Sequence, residues 1–562
     1  MTRLADRVLS RRQVEGLIAE GKAVFIFDGN VVRADAWLKF HPGGDKPILH
    51  MVGRDATDEM NALHSVEALA RMRSFMIGKV QQPWESFTPP LHGGRFRPYI
   101  EGEEDGELSE SECPQSEGAR SSSSSSVSSE DNSFLLDPSL RRRHQGSAVA
   151  SSSSSMTSVS VHDETSMEEE LTRKGMEYDL AAYPALDAET QGKIVDLYRE
   201  LDKQVRAAGL YNCNYVRYAR EVMRYLTYLS ISLVLLRYGW YKMSAFFLGV
   251  FWHQITFTAH DAGHMGITHN FHIDTCVGIF IADFCGGLSL GWWKRSHNVH
   301  HIVTNDPEHD PDIEHLPFFA VSHLFFGSLY STYYDRVMQF DAAARVLVRF
   351  QNYLYYPILC FGRFNLYRLS WEYLILGLGP RKGIAAYQRW LEIAGMAVFW
   401  YWFGYQLLYK SIPTNWDRFL FVMISHAVTM PLHVQITLSH FAMSTSDLGV
   451  KESFAQRMLR TTMDVDCPRW LDFVHGGLQF QVCSHLTGPI HHLFPRIPRH
   501  NLRTAQKLVM EFCKKSGVPY ALYGFYDGNR KVIGHLGEVG RQAKILAECQ
   551  AAIINKGDYG HM

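Results

Sequence analysis

Apolar stretches of near-membrane length run into clusters of histidine, and this pairing restricts the fold of the chain more than any other feature. Tyr225–Trp240 and Met243–His260 are two such stretches, separated by a short polar break, and the second ends in His260-Asp261-Ala262-Gly263-His264. A helix that crosses a bilayer needs about 20 residues, so the pair predicts a helical hairpin with both ends on one side. Cys276–Trp293 is apolar but rich in glycine, and it leads into His297-Asn298-Val299-His300-His301. Its place between two histidine clusters favours a re-entrant or interfacial segment over a plain span. A second hairpin is expected from Trp390–Tyr409 and Phe419–Leu438, with Lys410–Arg418 as its outer loop. About four spans then put both termini and every histidine cluster on one side. Lys294, Arg295, Arg381, Lys382 and Arg389 lie on that side too, and the positive-inside rule makes it cytosolic.

Composition divides the chain of 562 residues into three regions. Residues 1–98 read as a small, soluble α+β domain, with a strand near Ala23–Phe27 and a helix over Val66–Ile77. Residues 99–175 hold two serine tracts, Ser121–Ser126 and Ser151–Ser155, among acidic clusters. Such a segment buries too little apolar area to offset the entropy of ordering, so it is expected to be a disordered tether. Residues 176–562 read as an all-α membrane domain. With 56 basic against 58 acidic residues, no nucleic-acid footprint is present. The 9 cysteines form no CxxC, as in a reduced, cytosol-facing protein. The N-terminus is too charged for a signal peptide, so insertion must use internal segments.

Two chemistries are legible. In the first region, His41-Pro42-Gly43-Gly44 is followed by Asp55-Ala56-Thr57 and His64. Two neutral imidazoles can clamp a haem iron from opposite faces, and full coordination makes that haem an electron carrier. The pattern resembles cytochrome b5, and the resemblance implies haem b with His41 and His64 as axial ligands. His50 matches no axial position and is read as structural. In the membrane region, His260 and His264 are spaced i, i+4, and His297, His300 and His301 are spaced i, i+3, i+4, so each set shares one helical face. His491 and His492 add two more. One metal takes about four to six such ligands, so this set suffices for two.

From HDAGH through HNVHH to HHLFPRIPRHN, the chain resembles the membrane fatty-acid desaturase superfamily over roughly residues 176–530. The resemblance implies two non-haem irons under a cytosolic histidine-box cap, O2 as co-substrate, and electrons relayed through the cytochrome b5-like head from an NADH-cytochrome b5 reductase. It also implies an endoplasmic reticulum membrane location, with the haem domain in the cytosol. It adds His440, from HVQITLSHF, as a ligand; His433 and His426 are weaker candidates. Asp261, Asn305 and Asp306 either orient ligands or serve as caps and turns.

The third box departs from the family pattern. Desaturases fused to cytochrome b5 end in Q-x-x-H-H, whereas here Gln481 is separated from His491 by the extra segment Cys483–Pro489. On a continuous helix this adds a rise of about 10 Å, too far for Gln481 and His492 to share a metal. The segment is therefore either an interruption that impairs the iron site, a looped-out insertion, or a source of a replacement ligand in His485. The runs SHNVHHIVTNDPEHDPDIEHLPFF and LRTTMDVDCPRWLDFVHGGLQFQ look most like fungal sphingolipid Δ8-desaturases, which implies a ceramide long-chain base as substrate. A front-end acyl desaturase of the Δ6 type, a lipid hydroxylase, and a membrane haem carrier with a vestigial iron site are the alternatives.

Overall fold

Short β-branched and aromatic runs near the N-terminus form a four-stranded sheet. Its strands are β1 (Val8–Leu9), β2 (Val24–Phe27), β3 (Asn30–Arg33) and β4 (Met76–Val80), in the order β1-β4-β3-β2. Helix α1 (Arg11–Ala19) starts at a capping box in which Ser10 and Gln13 satisfy each other's backbone N–H groups. It buries Val14 and Ile18. The helix expected over Val66–Ile77 ends at Met72 and tightens into a 3₁₀ turn over Arg73–Phe75. Met76 and Gly78 then pair with β3, so the sheet claims the last residues of the apolar run. His50 is fully buried and its Nδ1 lies 2.8 Å from His92 Nε2, in keeping with a structural role.

This computed structural model describes residues 7–101, 158–466 and 488–558. It divides into two units. The smaller holds the sheet and α1. The larger holds residues 39–47 and 58–65 together with the remainder of the chain from 154 onward, so both haem-ligand candidates belong to it.

Within the larger unit, helix α2 (Ser158–Ala182) begins inside the stretch that composition marked as tether. The i,i+4 pairs Lys174–Glu170 and Arg173–Glu177 support it. Next come α3 (Ala188–Ala207), α4 (Tyr215–Arg237) and α5 (Tyr241–Gly263). Helices α4 and α5 form the first predicted hairpin and are clasped by Ser232 and Ser244, each hydroxyl donating to the other residue's carbonyl. Then follow α6 (Phe271–Ile279), a π-helical turn over Phe280–Cys285, and α7 (Leu290–Ile302). The last pair is bent by 117° at the break, the geometry expected of a re-entrant segment. Gly287 sits in the break at φ +70°, and a Cβ there would fall 2.3 Å from the Phe399 ring. Only glycine satisfies both conditions.

The chain continues through α8 (Gln351–Leu359), α9 (Gly362–Leu376), α10 (Gln388–Phe399, extended by a π-helix to Lys410), α11 (Asn415–Ala427) and α12 (Met430–Leu438). Of the four spans expected, Asn415–Leu438 is the one helix among the described residues that is long and apolar enough to cross a membrane. The bent pair meets the same test only when taken together. The other candidates are cut short by polar residues. Arg217, Arg220, Glu221 and Arg224 occupy the first half of α4, and His253, Gln254, His260 and Asp261 the second half of α5. The cap is completed by α13 (Phe454–Thr461), α14 (Gly488–Leu493), α15 (Leu502–Ser516) and α16 (Phe525–Asp558). Leu459, Ile490, Leu493, Phe494 and Val509 share one apolar core there, which fixes α14 and its two histidines.

Candidate metal centre

Four stretches of the chain deliver the imidazoles. The last turn of α5 carries His260 and its C-cap is His264, while one face of α7 carries His297, His300 and His301. Gly263 allows the two helices to meet: a Cβ there would lie 2.1 Å from the Trp293 ring. Ser289 caps α7 by accepting from Trp292 N–H at 3.0 Å, and its hydroxyl donates to buried Glu392. His440 follows the end of α12, and α14 brings His491 and His492.

The eight rings form two groups. The ligand atoms of His260, His264, His297 and His491 lie within 4.8 Å of one another, and so do those of His300, His440 and His492. His301 lies between the groups, its ring centre 4.9 Å from His264, 4.8 Å from His491 and 4.4 Å from His492. Among the described residues, several ring nitrogens are buried without a hydrogen-bond partner: Nε2 of His260, His264 and His491, and Nδ1 of His301 and His440. Buried nitrogens seldom go unpaired, and a convergent set of them is what bound metal ions would satisfy. Burial and neighbouring imidazoles hold His491 and His492 well below the usual histidine range, so both are neutral and have a free lone pair. The donor set therefore fits two metal ions of the kind that imidazole binds.

Carboxylates and amides fix these rings from behind. His300 Nδ1 lies 2.8 Å from Asp310 Oδ2, and His297 Nδ1 lies 3.6 Å from Asp312 Oδ2. Asn305, at φ +61°, folds the following loop back, so that its N–H donates to Asp310 and its side chain to the His440 carbonyl at 2.9 Å. Asp261 lies 3.7 Å from His260 Nδ1 and accepts from Arg499 at 2.5 Å. Asp306 lies farther out, paired with Arg457 at 3.6 Å. Thus Asp261 and Asn305 stand beside the histidines, and Asn305 also forms the left-handed turn of the loop. Asp310 and Asp312, which sequence reasoning did not single out, carry the closest contacts. Their signal was the acid-rich run directly after HNVHH.

His426 is spoken for by its own helix, with Nδ1 2.8 Å from the Val422 carbonyl and the ring stacked on Phe364 at 4.6 Å. His433 stands apart from both groups. Gln481 and residues 483–487 lie outside the described residues. Gly488 and Pro489 start α14, so the helix holding His491 and His492 begins within the segment thought to split the third box.

The rings of His41 and His64 face each other at 5.9 Å between centres. Each turns Nδ1 to a backbone carbonyl, Gly44 at 2.6 Å and Met60 at 3.2 Å. With Nδ1 so engaged, Nε2 of each ring is the nitrogen left for a metal ion. Burial, together with the neighbouring His41, pushes His64 down to about 3, which keeps the ring neutral for ligation. The residues present therefore fit a bis-histidine haem. The segments bearing them are tied into the larger unit by Lys46–Asp335 at 2.8 Å and Arg199–Asp58 at 2.9 Å. Arg496 also donates to the His64 carbonyl at 2.7 Å.

An apolar cavity of about 840 Å³ opens onto both histidine groups. Trp252, Ile255, Trp293, Leu359, Leu432 and Ile436 form much of its wall.

Comparison with known proteins agrees with this geometry. Residues 239–524 match the fatty acid desaturase family, and residues 10–81 match the cytochrome b5-like heme/steroid binding domain. A Delta 8-(E)-sphingolipid desaturase of Emericella nidulans is 58% identical over 99% of this chain and 98% of its own. One from Kluyveromyces lactis is 51% identical over 97% and 94%. Delta(8)-fatty-acid desaturase 2 of Arabidopsis thaliana is 36% identical over 62% of this chain and 75% of its own.

Proposed function

The chain belongs to the fatty acid desaturase family, and on that premise we propose that it is a sphingolipid Δ8-desaturase placing a trans double bond in the long-chain base of ceramide or glucosylceramide precursors. One observation carries the reading: imidazoles of both groups, among them His260, His297, His300, His440, His491 and His492, line one apolar cavity. The names of its full-length relatives supply the substrate and the bond position.

His260, His264, His297, His301 and His491 would hold one iron and His300, His440 and His492 the other, with Gln481 as a further candidate; His41 and His64 would hold haem b. When bound, the haem supplies single electrons and the irons supply the dioxygen chemistry that removes two hydrogens from adjacent methylenes. The protein does the rest. Asp310 would set the tautomer of His300 by accepting at Nδ1, which leaves Nε2 for metal, and the Asp312 carboxylate stands beside His297 Nδ1 at 3.6 Å. The apolar wall excludes water and holds the lipid chain in one register, which decides the carbon attacked. Arg496, four residues after His492, grips the His64 carbonyl and so links the haem-bearing loop to the third box.

In this reading residues 1–98 are the haem domain, 99–175 the linker and 176–562 the desaturase domain, crossing the endoplasmic reticulum membrane with about four spans and both termini cytosolic. An NADH-cytochrome b5 reductase is the electron donor. The convergence of His491 and His492 with the other boxes supports an active site over a vestigial one in a haem carrier. Lipid analysis of a strain lacking the chain tests the proposal. Loss of Δ8-unsaturated long-chain bases is expected; loss of unsaturated acyl chains alone would point instead to a front-end acyl desaturase.

A further inference from the structure

Two buried polar groups in the wall of the cavity each leave one atom without a hydrogen-bond partner among the described residues. Glu314 is 5% exposed; its Oε2 accepts from the Ser331 hydroxyl at 2.6 Å, while Oε1 has no partner. His433 is 8% exposed, and its Nε2 has no partner. Both residues line the cavity, and neither belongs to the two metal groups. Their positions are held firmly. The His433 ring lies against Gly362, where a Cβ would come within 3.0 Å. Glu314 is braced by Ser331, whose oxygen also accepts from the Tyr334 N–H at 3.0 Å. An unsatisfied buried polar atom is costly unless a ligand completes it.

Their location fits one end of a lipid. Asp312 sits 3.6 Å from His297 Nδ1 and 3.9 Å from His300 Nδ1. Glu314 is two residues further on, a backbone reach of at most about 7 Å. Arg336 and Arg368 also line the cavity and are exposed, so it reaches the surface beside them. In a long-chain base, the 3-hydroxyl carbon is five single-bond lengths, at most about 7.5 Å, from the carbon that begins the Δ8 bond. A polar subsite one short loop from the metal groups thus matches the distance at which such a molecule carries its hydroxyl and amide.

We propose that Glu314 and His433 form a subsite that hydrogen-bonds the hydroxyl and amide groups of an N-acylated amino diol, setting how far its chain enters the cavity. The inference rests on the sphingolipid reading and deepens it. Burial holds the Glu314 carboxyl well above the usual carboxylate range, so the protonated acid can donate as well as accept. A site built to bond a hydroxyl rejects the analogue that lacks it.

The test measures binding of a short-chain ceramide and of its 3-deoxy analogue to purified full-length holoenzyme. Wild type should prefer the ceramide by about tenfold, the weight of one buried hydrogen bond. Glu314→Leu and His433→Leu should each erase that preference with bound iron and the haem spectrum unchanged, and Glu314→Gln should restore it. If Glu314→Leu loses iron, His433→Leu decides alone. Variants that keep the wild-type preference overturn the subsite, even if wild type makes Δ8 bases. A wild type that binds both lipids alike and makes no Δ8 base overturns the sphingolipid reading itself.

Discussion

Three kinds of histidine can be told apart by what their ring nitrogens meet. His50 and His426 bond to neighbours inside their own units, His41 and His64 turn one nitrogen to a carbonyl and leave the other, and the box histidines converge with unmet nitrogens. Two substitutions separate the last two kinds. His64→Ala should abolish the haem absorbance and leave iron content near wild type, and His300→Ala should do the reverse; full iron in the latter would break the metal assignment. Asp310→Asn keeps the shape but weakens the acceptor at His300 Nδ1, so iron affinity should drop about 10- to 100-fold, read by chelator competition. Away from the site, burial pushes Asp464 up to about 7 from an ordinary 3.8. The folded state therefore holds this proton more tightly. Its stabilising share is complete below pH 3.8 and is lost as pH rises through about 7. The loss amounts to roughly 1.4 kcal/mol per pH unit. Asp464→Asn cannot ionise, so thermal melts should show the variant gaining on wild type by about 2 kcal/mol between pH 5 and 7.

Helices made the histidine boxes readable. Spacings of three and four residues fix a common face whatever the surroundings, so HDAGH and HNVHH could be placed before any coordinates. What the helices do to each other was less legible. The meeting of α5 and α7 depends on Gly263, which periodicity treats as one more small residue but which gives Trp293 room to approach. Gly263→Val should force the helices apart at a cost of about 1–3 kcal/mol. It should reduce bound iron more than it reduces haem, as measured by metal analysis beside the haem spectrum. The glycine content and position of Cys276–Trp293 pointed to a re-entrant or interfacial segment, and the structure puts a sharp bend there, with Gly287 in the break. The loop that returns Asp310 to His300 was not foreseen, because it turns at a left-handed asparagine and has no period to read. Apolar runs read the spans less sharply for a related reason, since one helix among the described residues passes on length and hydropathy alone. Polar residues at the ends of α4 and α5 serve the interior of the bundle, as with Glu221 beside Arg499 and Asp261 beside Tyr218, and a hydropathy pattern cannot tell that interior from water.

Across the whole molecule, four distant stretches of sequence meet at one centre, and the third box is the most remote. Its histidines arrive on a short helix whose first residues are Gly488 and Pro489. Removing residues 483–489 would take away the first turn of that helix, including Gly488, where a Cβ would lie 2.8 Å from the Met463 carbonyl. The shortened chain should retain less than half the iron of the intact one, with matching loss of product; equal iron and product in both would make the segment dispensable. His301 carries a further consequence. Because its ring borders His264, His297 and His491 on one side and His492 on the other, neither metal position has a private wall. Filling the position that His301 serves fixes a ring packed against His492 of the other, so occupancy should be all-or-none. A preparation assayed at half the full iron content would then be a mixture of empty and doubly filled molecules, and its specific activity should rise in direct proportion to iron from the first additions onward.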